Sequence, residues 1–175
     1  MLSSVSIVYE IFLIPLAALI IYYDVRYRRI PNAFVIGTLI AGISLNTTFA
    51  GFNGALNSVG GCVLAFILMF MLHVFGAMGA GDVKLFAAIG SIMGAQLVIP
   101  TFLIVILTGG VLAFISILRS GLVITTMQRV LQIFIGFLPG WPMPKFAVPA
   151  DRKHTIPYGV AITIGAIIST AIFHA

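Results

Sequence analysis

Charged side chains are scarce in this sequence. Only 7% of its 175 residues are Asp, Glu, Lys or Arg, and 61% are hydrophobic, whereas soluble proteins carry about 25% charged residues. This scarcity excludes an ordinary soluble domain and indicates an integral membrane protein. A hydrocarbon core of about 30 Å needs about 20 apolar residues per helix, so the length predicts about six spans within a single domain, residues 1–175.

Cysteine pairs and metal-binding patterns are also lacking. The single cysteine, Cys62, excludes an intrachain disulfide and any zinc cluster built from several cysteines. His73 and His154 do not stand at metal-ligand spacings. We therefore expect neither a metal nor another cofactor.

Six apolar runs are long enough to cross a membrane, or nearly so: residues 5–23, 33–49, 59–75, 85–98, 101–118 and 156–173. The fourth run is short, and Pro100 predicts a tight turn between the fourth and fifth helices. The predicted fold is an all-α integral membrane protein with about six transmembrane helices.

The positions of the nine Lys and Arg residues predict the orientation. They fall only in alternate connections between the apolar runs, at residues 26–29, at Lys84 and at residues 119–153. Because basic connections stay in the cytoplasm, we expect both termini outside the cell. Basic residues in such short segments do not form the soluble basic surface that a nucleic-acid partner requires.

The segment between Ser120 and Thr155 is too long for a simple turn. Its first part places Thr125, Gln128 and Arg129 on one helical stripe, and the other faces are apolar. This pattern predicts an amphipathic helix that lies on the inner membrane surface before the last span.

Two of the four acidic residues stand at related positions. Asp24 ends the first apolar run, and Asp82 opens the fourth. The predicted orientation puts both at the cytoplasmic membrane surface, while Glu10 lies deeper and Asp151 lies in a basic loop. Two neighbouring carboxyl groups cannot both ionise easily, so one stays protonated while the other activates water. This pair predicts the chemistry of an aspartyl protease.

Structural roles for the same residues remain open at this point. Asp24 could pair with Arg26 or Arg28, and Asp82 could cap its helix by accepting backbone N–H bonds. Lys84 is either an anchor that reaches the lipid headgroups or a group that lines the site and favours the charged form of Asp82.

The sequence GAGDVK at residues 79–84 resembles the GxGD signature of the type IV prepilin peptidases. RRIPN at residues 28–32 follows Asp24 in the way that this family's pattern requires, and PYG at residues 157–159 matches its motif near the last helix. The length resembles the short TadV/CpaA-like branch. The resemblance implies that Asp24 and Asp82 are catalytic and that six residues bind substrate or shape the site: Gly79, Gly81, Lys84, Pro157, Tyr158 and Gly159.

This resemblance implies a membrane aspartyl endopeptidase of the prokaryotic inner membrane. Its expected substrate is a type IV (Flp-like) prepilin or pseudopilin with a hydrophobic N-terminal helix, cleaved after a glycine at the cytoplasmic interface. Longer members carry a cysteine-bearing cytoplasmic region associated with methylation. This chain has no such insert between its first two apolar runs, so we expect no methyltransferase activity. The oligomeric state stays open.

Two other functions compete with proteolysis. A proton-coupled transporter could also use Asp24 and Asp82, although such sites lie more often near the membrane midplane, between related halves of the chain. A non-catalytic scaffold of a secretion machine is the third hypothesis.

Overall fold

A computed structural model describes residues 2–75, 78–120 and 158–173. These residues form five α-helices: α1 (Leu2–Tyr27), α2 (Asn32–Val74), α3 (Ala80–Met93), α4 (Ala95–Ser120) and α5 (Tyr158–Phe173). The described part contains no strand, which confirms the all-α prediction there. The predicted interfacial helix between Ser120 and Thr155 lies outside the described residues.

Helix α2 reverses its direction at Gly51, which has φ 61° and ψ −143°, a backbone conformation that side chains disfavour. The first limb (residues 32–50) and the second limb (residues 52–74) both pack against α3, because Gly42 meets Ile92 and Gly61 meets Gly94. A straight helix would hold residues 42 and 61 about 28 Å apart. The limbs therefore form a hairpin, and its turn is shorter than the gap between the second and third apolar runs, residues 50–58.

The boundary between α3 and α4 corrects the prediction of a turn at Pro100. Helix α3 ends at Gly94, whose φ of 73° breaks the helix and whose N–H donates to the Gly90 carbonyl at 2.9 Å. The Ala95 N–H then donates to Asn57 Oδ1 at 3.0 Å. Pro100 lies inside α4, where it removes one backbone hydrogen bond. The left-handed glycine, rather than the proline, ends the helix here.

Helix α3 forms the centre of the described core. Every residue from 85 to 94 is buried, and both limbs of α2 as well as α5 pack against this helix. Large apolar side chains of the other helices remain exposed, including Ile11, Phe52 and Leu107. A broad exposed apolar surface fits a lipid environment.

Within the described residues, two helices are long and apolar enough to cross a membrane, Asn32–Val74 and Ala95–Arg119, and α5 is a shorter apolar helix. The count of six spans stays a prediction. The chain divides into two compact units, Met1–Gly109 with Pro157–Ala175, and Gly110–Ile156. The single domain predicted for residues 1–175 also stays a prediction, and the site described next lies within the first unit.

Candidate active site

Asp24 lies in the last turn of α1, just beyond the predicted first span. The helix is closed by Arg28, whose N–H donates to the Asp24 carbonyl at 3.1 Å and whose φ is 52°. A left-handed residue commonly ends a helix in this way, but the conformation is unusual for a residue other than glycine. The Asp24 side chain is 7% exposed, and its Oδ2 has no hydrogen-bond partner within the described part of the chain.

The first turn of α5 packs directly against Asp24. Burial raises the pKa of Asp24 above its ordinary value, while the backbone N–H groups of Gly159 and Val160, together with the Arg28 charge, oppose that rise. A Cβ atom at Gly159 would lie 2.7 Å from Asp24 Oδ2. Only a residue without a side chain therefore allows α5 to approach the carboxyl group this closely.

Asp82 lies in the first turn of α3 and is half-buried. Its Oδ2 accepts the Gly79 N–H at 3.2 Å, so the carboxyl group caps its own helix as the structural interpretation predicted. Burial, and after it the charge of Asp24, raises the pKa of Asp82 to about 6, against the opposing effect of the Gly79 N–H. A nearby like charge raises the pKa of a carboxyl group in this way, so the two aspartates lie within electrostatic range of each other.

Tyr158 begins α5 and completes the described part of this site. It is half-buried and lies within electrostatic range of Asp82, and its ring faces Gly109 of α4. Helix α5 thus approaches Asp24 closely through its backbone at Gly159, and its Tyr158 lies within electrostatic range of Asp82. Pro157, which the resemblance also implies, lies outside the described residues.

The glycines before Asp82 are exposed. A Cβ atom at Gly79 would lie 3.1 Å from Asp82 Oδ2, whereas one at Gly81 would meet nothing within 4 Å among the described residues. Lys84 is also exposed, and it is not among the causes that shift the pKa of Asp82. The structure therefore brings Gly79 to the Asp82 carboxyl group and leaves Gly81 and Lys84 exposed.

The sequence analysis missed the role of His73. Its Nδ1 hydrogen-bonds with the Met78 carbonyl oxygen at 2.7 Å. This bond ties the end of α2 to the glycine segment that leads into Asp82. A lone histidine just before a glycine-rich connection was the available signal.

The sequence analysis also missed a set of polar contacts that hold the far end of α3. Asn46 Nδ2 donates to the carbonyl oxygens of Ser91 and Ile92 at 3.0 and 3.1 Å. Ser58 Oγ donates to the Ser91 carbonyl at 2.6 Å. Polar side chains within an apolar run, as at Asn46, or next to one, as at Ser58, were the signal that could have identified them.

An open groove of about 400 Å³ lies at the connection between α1 and α2. Its lining includes much of the RRIPN motif and two of the three tyrosines that precede it: Tyr23, Tyr27, Arg29, Ile30, Pro31 and Asn32. The residues that line the groove are close to Asp24 in the sequence. The sequence analysis used this motif for the family resemblance and did not predict a groove there.

The described part of the chain offers no set of ligands for a metal ion. Among residues 2–75, 78–120 and 158–173, no group of three or more His, Cys, Asp or Glu side chains is placed to hold a metal ion. The expectation that the protein needs no cofactor stays a prediction.

Comparisons with known proteins support the resemblance. The type IV leader peptidase family model matches residues 11–114. The prepilin leader peptidase/N-methyltransferase of Legionella pneumophila is 28% identical over 124 residues, which are 67% of this chain and 43% of that protein. The Bacillus subtilis (strain 168) protein of the same name is 26% identical over 112 residues, 62% of this chain and 44% of that protein.

No solved structure matches the chain, and the chain spans less than half the length of these two relatives. Their names support the predicted protease class and membrane character, while the assignment to the TadV/CpaA-like branch stays a prediction. The family match includes both Asp24 and Asp82 and covers more than half of the 175 residues. The chain therefore belongs to the type IV leader peptidase family.

Proposed function

We propose that this protein is a membrane aspartyl endopeptidase that removes the leader peptide of type IV prepilins, with Asp24 and Asp82 as its catalytic pair. The observation that carries this proposal is the position of the two aspartates, in a chain with only four acidic residues. Asp24 lies in the last turn of α1 against the start of α5, and Asp82 lies in the first turn of α3. The family and the names of both relatives support the substrate class. The Flp-like substrate and the cleavage after glycine rest on the sequence resemblance.

The proposed reaction uses one aspartate as a base and the other as an acid. Water attacks the scissile carbonyl carbon and gives a proton to the charged carboxylate, while the protonated carboxyl group donates its proton to the carbonyl oxygen. The C–N bond then breaks. The first carboxylate passes its proton to the leaving amine, and the second recovers a proton from the hydroxyl of the intermediate. One water is consumed, and both carboxyl groups return to their starting forms.

The surroundings of Asp82 offer access to an extended peptide. Gly79 and Gly81 are exposed, and among the described residues a Cβ atom at Gly81 would meet nothing within 4 Å. Within that part of the chain, a substrate backbone can approach Asp82 there without meeting a side chain. We propose that Gly79, Gly81, Tyr158 and Gly159 shape this approach and that Lys84 is a headgroup anchor, since it is exposed and does not shift the pKa of Asp82.

The arrangement of the helix ends supports a site at one membrane surface. The reversals at Gly51 and Gly94 lie at one end of the α2–α3 packing, where Asn57 contacts Gly94. Asp24, Asp82 and the start of α5 meet at the opposite end. Following the charge pattern, we propose that the end with the aspartates faces the cytoplasm of a prokaryotic cell and that about six helices cross its inner membrane.

Substrate recognition is proposed to rest on the hydrophobic helix of the prepilin and on local geometry. Arg29 in the groove would repel a basic leader, so net charge does not explain binding. Methyltransferase activity is not part of the proposal, because only residues 28–31 connect α1 to α2. This connection is too short for a cysteine-bearing domain.

Transport is the second candidate function. The two aspartates lie at the ends of α1 and α3, whereas transporter sites are typically near the midplane between related halves. Uptake of a solute into vesicles that is driven by a proton gradient, and that is lost in Asp24→Asn, would support the transporter instead.

Cleavage of a co-expressed prepilin in membranes tests the proposed function. Asp24→Asn and Asp82→Asn each keep the side-chain volume but remove a titratable group, so we expect each to abolish processing while the protein still inserts. Glu10→Gln changes another acid of α1, and Asp151→Asn changes an acid outside the described residues; both are expected to process normally. Near wild-type processing by either Asp24→Asn or Asp82→Asn would refute the catalytic pair.

A further inference from the structure

The groove at the connection between α1 and α2 lies on a different side of α1 from the catalytic carboxyl group. The Asp24 side chain faces Gly159 of α5, whereas the ring of Tyr23, which lines the groove, packs on Phe34 of α2. Neither Asp24 nor Asp82 is among the described residues that line the groove. The proposed reaction therefore gives this space of about 400 Å³ no role.

We propose that the groove binds the phosphate headgroup of an anionic phospholipid from the surrounding bilayer. The proposal goes beyond leader cleavage and does not depend on it. The occupant is a lipid that remains in the membrane, rather than a soluble anion or a segment of the prepilin.

Arg29 gives the groove its charge. This residue is exposed, and it is the only charged one among the described residues that line the groove. Arg26 and Arg28 precede it and are exposed as well, so the surroundings of the groove are also positive. A planar guanidinium can hold a phosphate group through two parallel N–H donors. The charge of the groove therefore matches an anion.

The aromatic side of the groove indicates its depth in the membrane. Tyr23 and Tyr27 lie one turn apart at the end of α1, and their ring centroids are 5.4 Å apart. They stand where the first apolar run gives way to the arginines. Tyrosine favours this interface because its ring is apolar while its hydroxyl can reach water or lipid headgroups. We therefore place the groove at the level of the lipid phosphates.

An apolar row on α2 continues from the groove and favours a lipid over a free anion. Asn32 lines the groove, and Ile36 and Ile40 follow at intervals of four residues, so all three lie on one face of the helix. Ile36 and Ile40 are 55% and 60% exposed, and they lie about 6 and 12 Å from Asn32 along the helix axis. An acyl chain can follow this row while its headgroup stays in the groove.

A prepilin segment fits the groove less well than a lipid does. The basic leader that the resemblance implies would be repelled by Arg29. The groove also lies away from the side of α1 that carries the Asp24 carboxyl group, where the scissile bond must be held. Charge and position therefore both favour the phospholipid.

Native mass spectrometry of the purified protein tests this site, with phosphatidylglycerol and phosphatidylcholine of equal chain length as the probes. Phosphatidylglycerol is anionic, whereas phosphatidylcholine has no net charge. We expect one molecule of phosphatidylglycerol to bind about tenfold more tightly than phosphatidylcholine, which is the scale of one hydrogen bond to a charged group. Arg29→Gln should remove this preference.

Arg26→Gln is the matched control for the headgroup. It removes the same charge three residues away, at an exposed position that is not among the described lining residues, and it should keep the preference. Size-exclusion chromatography checks that both variants remain folded.

Ile36→Ser tests the proposed path of the acyl chain. The affinities for the two lipids should both fall severalfold, while the preference for phosphatidylglycerol stays, because the change is outside the headgroup site. Ile99→Ser alters an equally exposed residue of α4 and should leave both affinities unchanged.

Three results would overturn the inference and leave the proposed catalytic pair in place. Equal losses of the lipid preference in Arg29→Gln and Arg26→Gln would mean a diffuse attraction to a basic surface. Complete displacement of phosphatidylglycerol by millimolar inorganic phosphate would mean a site for soluble anions. Weaker binding of a prepilin peptide in Arg29→Gln, with the lipid preference retained, would assign the groove to the substrate.

Discussion

The two ends of α3 are built differently. At the far end, Gly90 and Gly94 pack against the second limb of α2, and the Ser91 carbonyl accepts hydrogen bonds from Asn46 and Ser58. At the near end, Asp82 is half-buried behind exposed glycines, and Asp24 Oδ2 has no hydrogen-bond partner in the described part of the chain.

This difference separates stability from chemistry within one short helix. At the far end, these hydrogen bonds and the close packing of the helices fix the position of α3. The near end brings together two carboxyl groups that disfavour each other's charge, which is useful for proton transfer and unfavourable for folding. Substitutions at the far end should therefore reduce the amount of folded protein, and substitutions at the near end should change the reaction.

The largest effect is expected for Gly61→Ala at the far end. A Cβ atom at Gly61 would overlap the Gly90 carbonyl oxygen and lie 2.7 Å from the Gly94 carbonyl carbon. These are backbone atoms, so the hairpin and α3 must separate, at a cost at or above the upper end of the about 1–3 kcal/mol that is typical of overpacking. We expect little folded protein in detergent, as measured by size-exclusion chromatography.

Gly60→Ala is the matched control for this substitution. It changes the adjacent glycine of the same limb, where a Cβ atom would make an ordinary contact at 3.6 Å with Ala95 Cβ. We expect a normal yield. Equal yields of the two variants would contradict the close packing of α2 on α3.

A smaller loss of stability is expected for Asn46→Leu. The substitution keeps a similar volume but removes the donor to the carbonyls of Ser91, Ile92 and Gly42, at a cost of about 1–3 kcal/mol. The melting temperature should fall by roughly 5 °C, while the pH profile of cleavage stays unchanged. Asn53→Leu changes an exposed position of α2 and should leave both the melting temperature and the pH profile unchanged. A shifted pH profile in Asn46→Leu would contradict the separation of stability and chemistry between the two ends of α3.

A gain in stability, rather than a loss, is expected for Asp82→Asn. Because the folded-state pKa is raised from 3.8 to about 6, the native protein binds more protons than the unfolded chain between these values, and its stability decreases as the pH rises through them. At pH 7, removal of the carboxyl group should raise the melting temperature by a few degrees. The gain should disappear below about pH 4, and a lower melting temperature at pH 7 would contradict the unfavourable environment of Asp82.

The smallest effect is expected for Lys84→Arg. An exposed headgroup anchor tolerates either cation, so the cleavage rate and its pH dependence should remain close to those of the wild type. A residue beside Asp82 would not tolerate the larger, planar guanidinium in the same way. A lower cleavage rate, together with a shift of the acidic limb of the pH–rate profile, would indicate that Lys84 lines the site.

The sequence predicted the helical class and the positions of both aspartates at helix ends because apolar runs and rare charges are visible in a single chain. It placed the end of the fourth helix at Pro100 because proline is a strong local signal. The conformation of Gly94 depends on its contact with Asn57, which no local pattern contains. The approach of Gly159 to Asp24 and the bonds from Asn46 to α3 likewise join residues that are distant in sequence.

The most direct measurement of the central claim is the titration of the Asp82 carboxyl group, followed by ¹³C NMR in wild-type protein and in Asp24→Asn. We expect the wild-type pKa to be about 6. Since the adjacent Asp24 charge opposes ionisation of Asp82, the pKa of Asp82 should fall in Asp24→Asn, with the folded state checked by its melting curve. An Asp82 pKa that is unchanged in Asp24→Asn would contradict the claim that the two carboxyl groups form one acid–base pair.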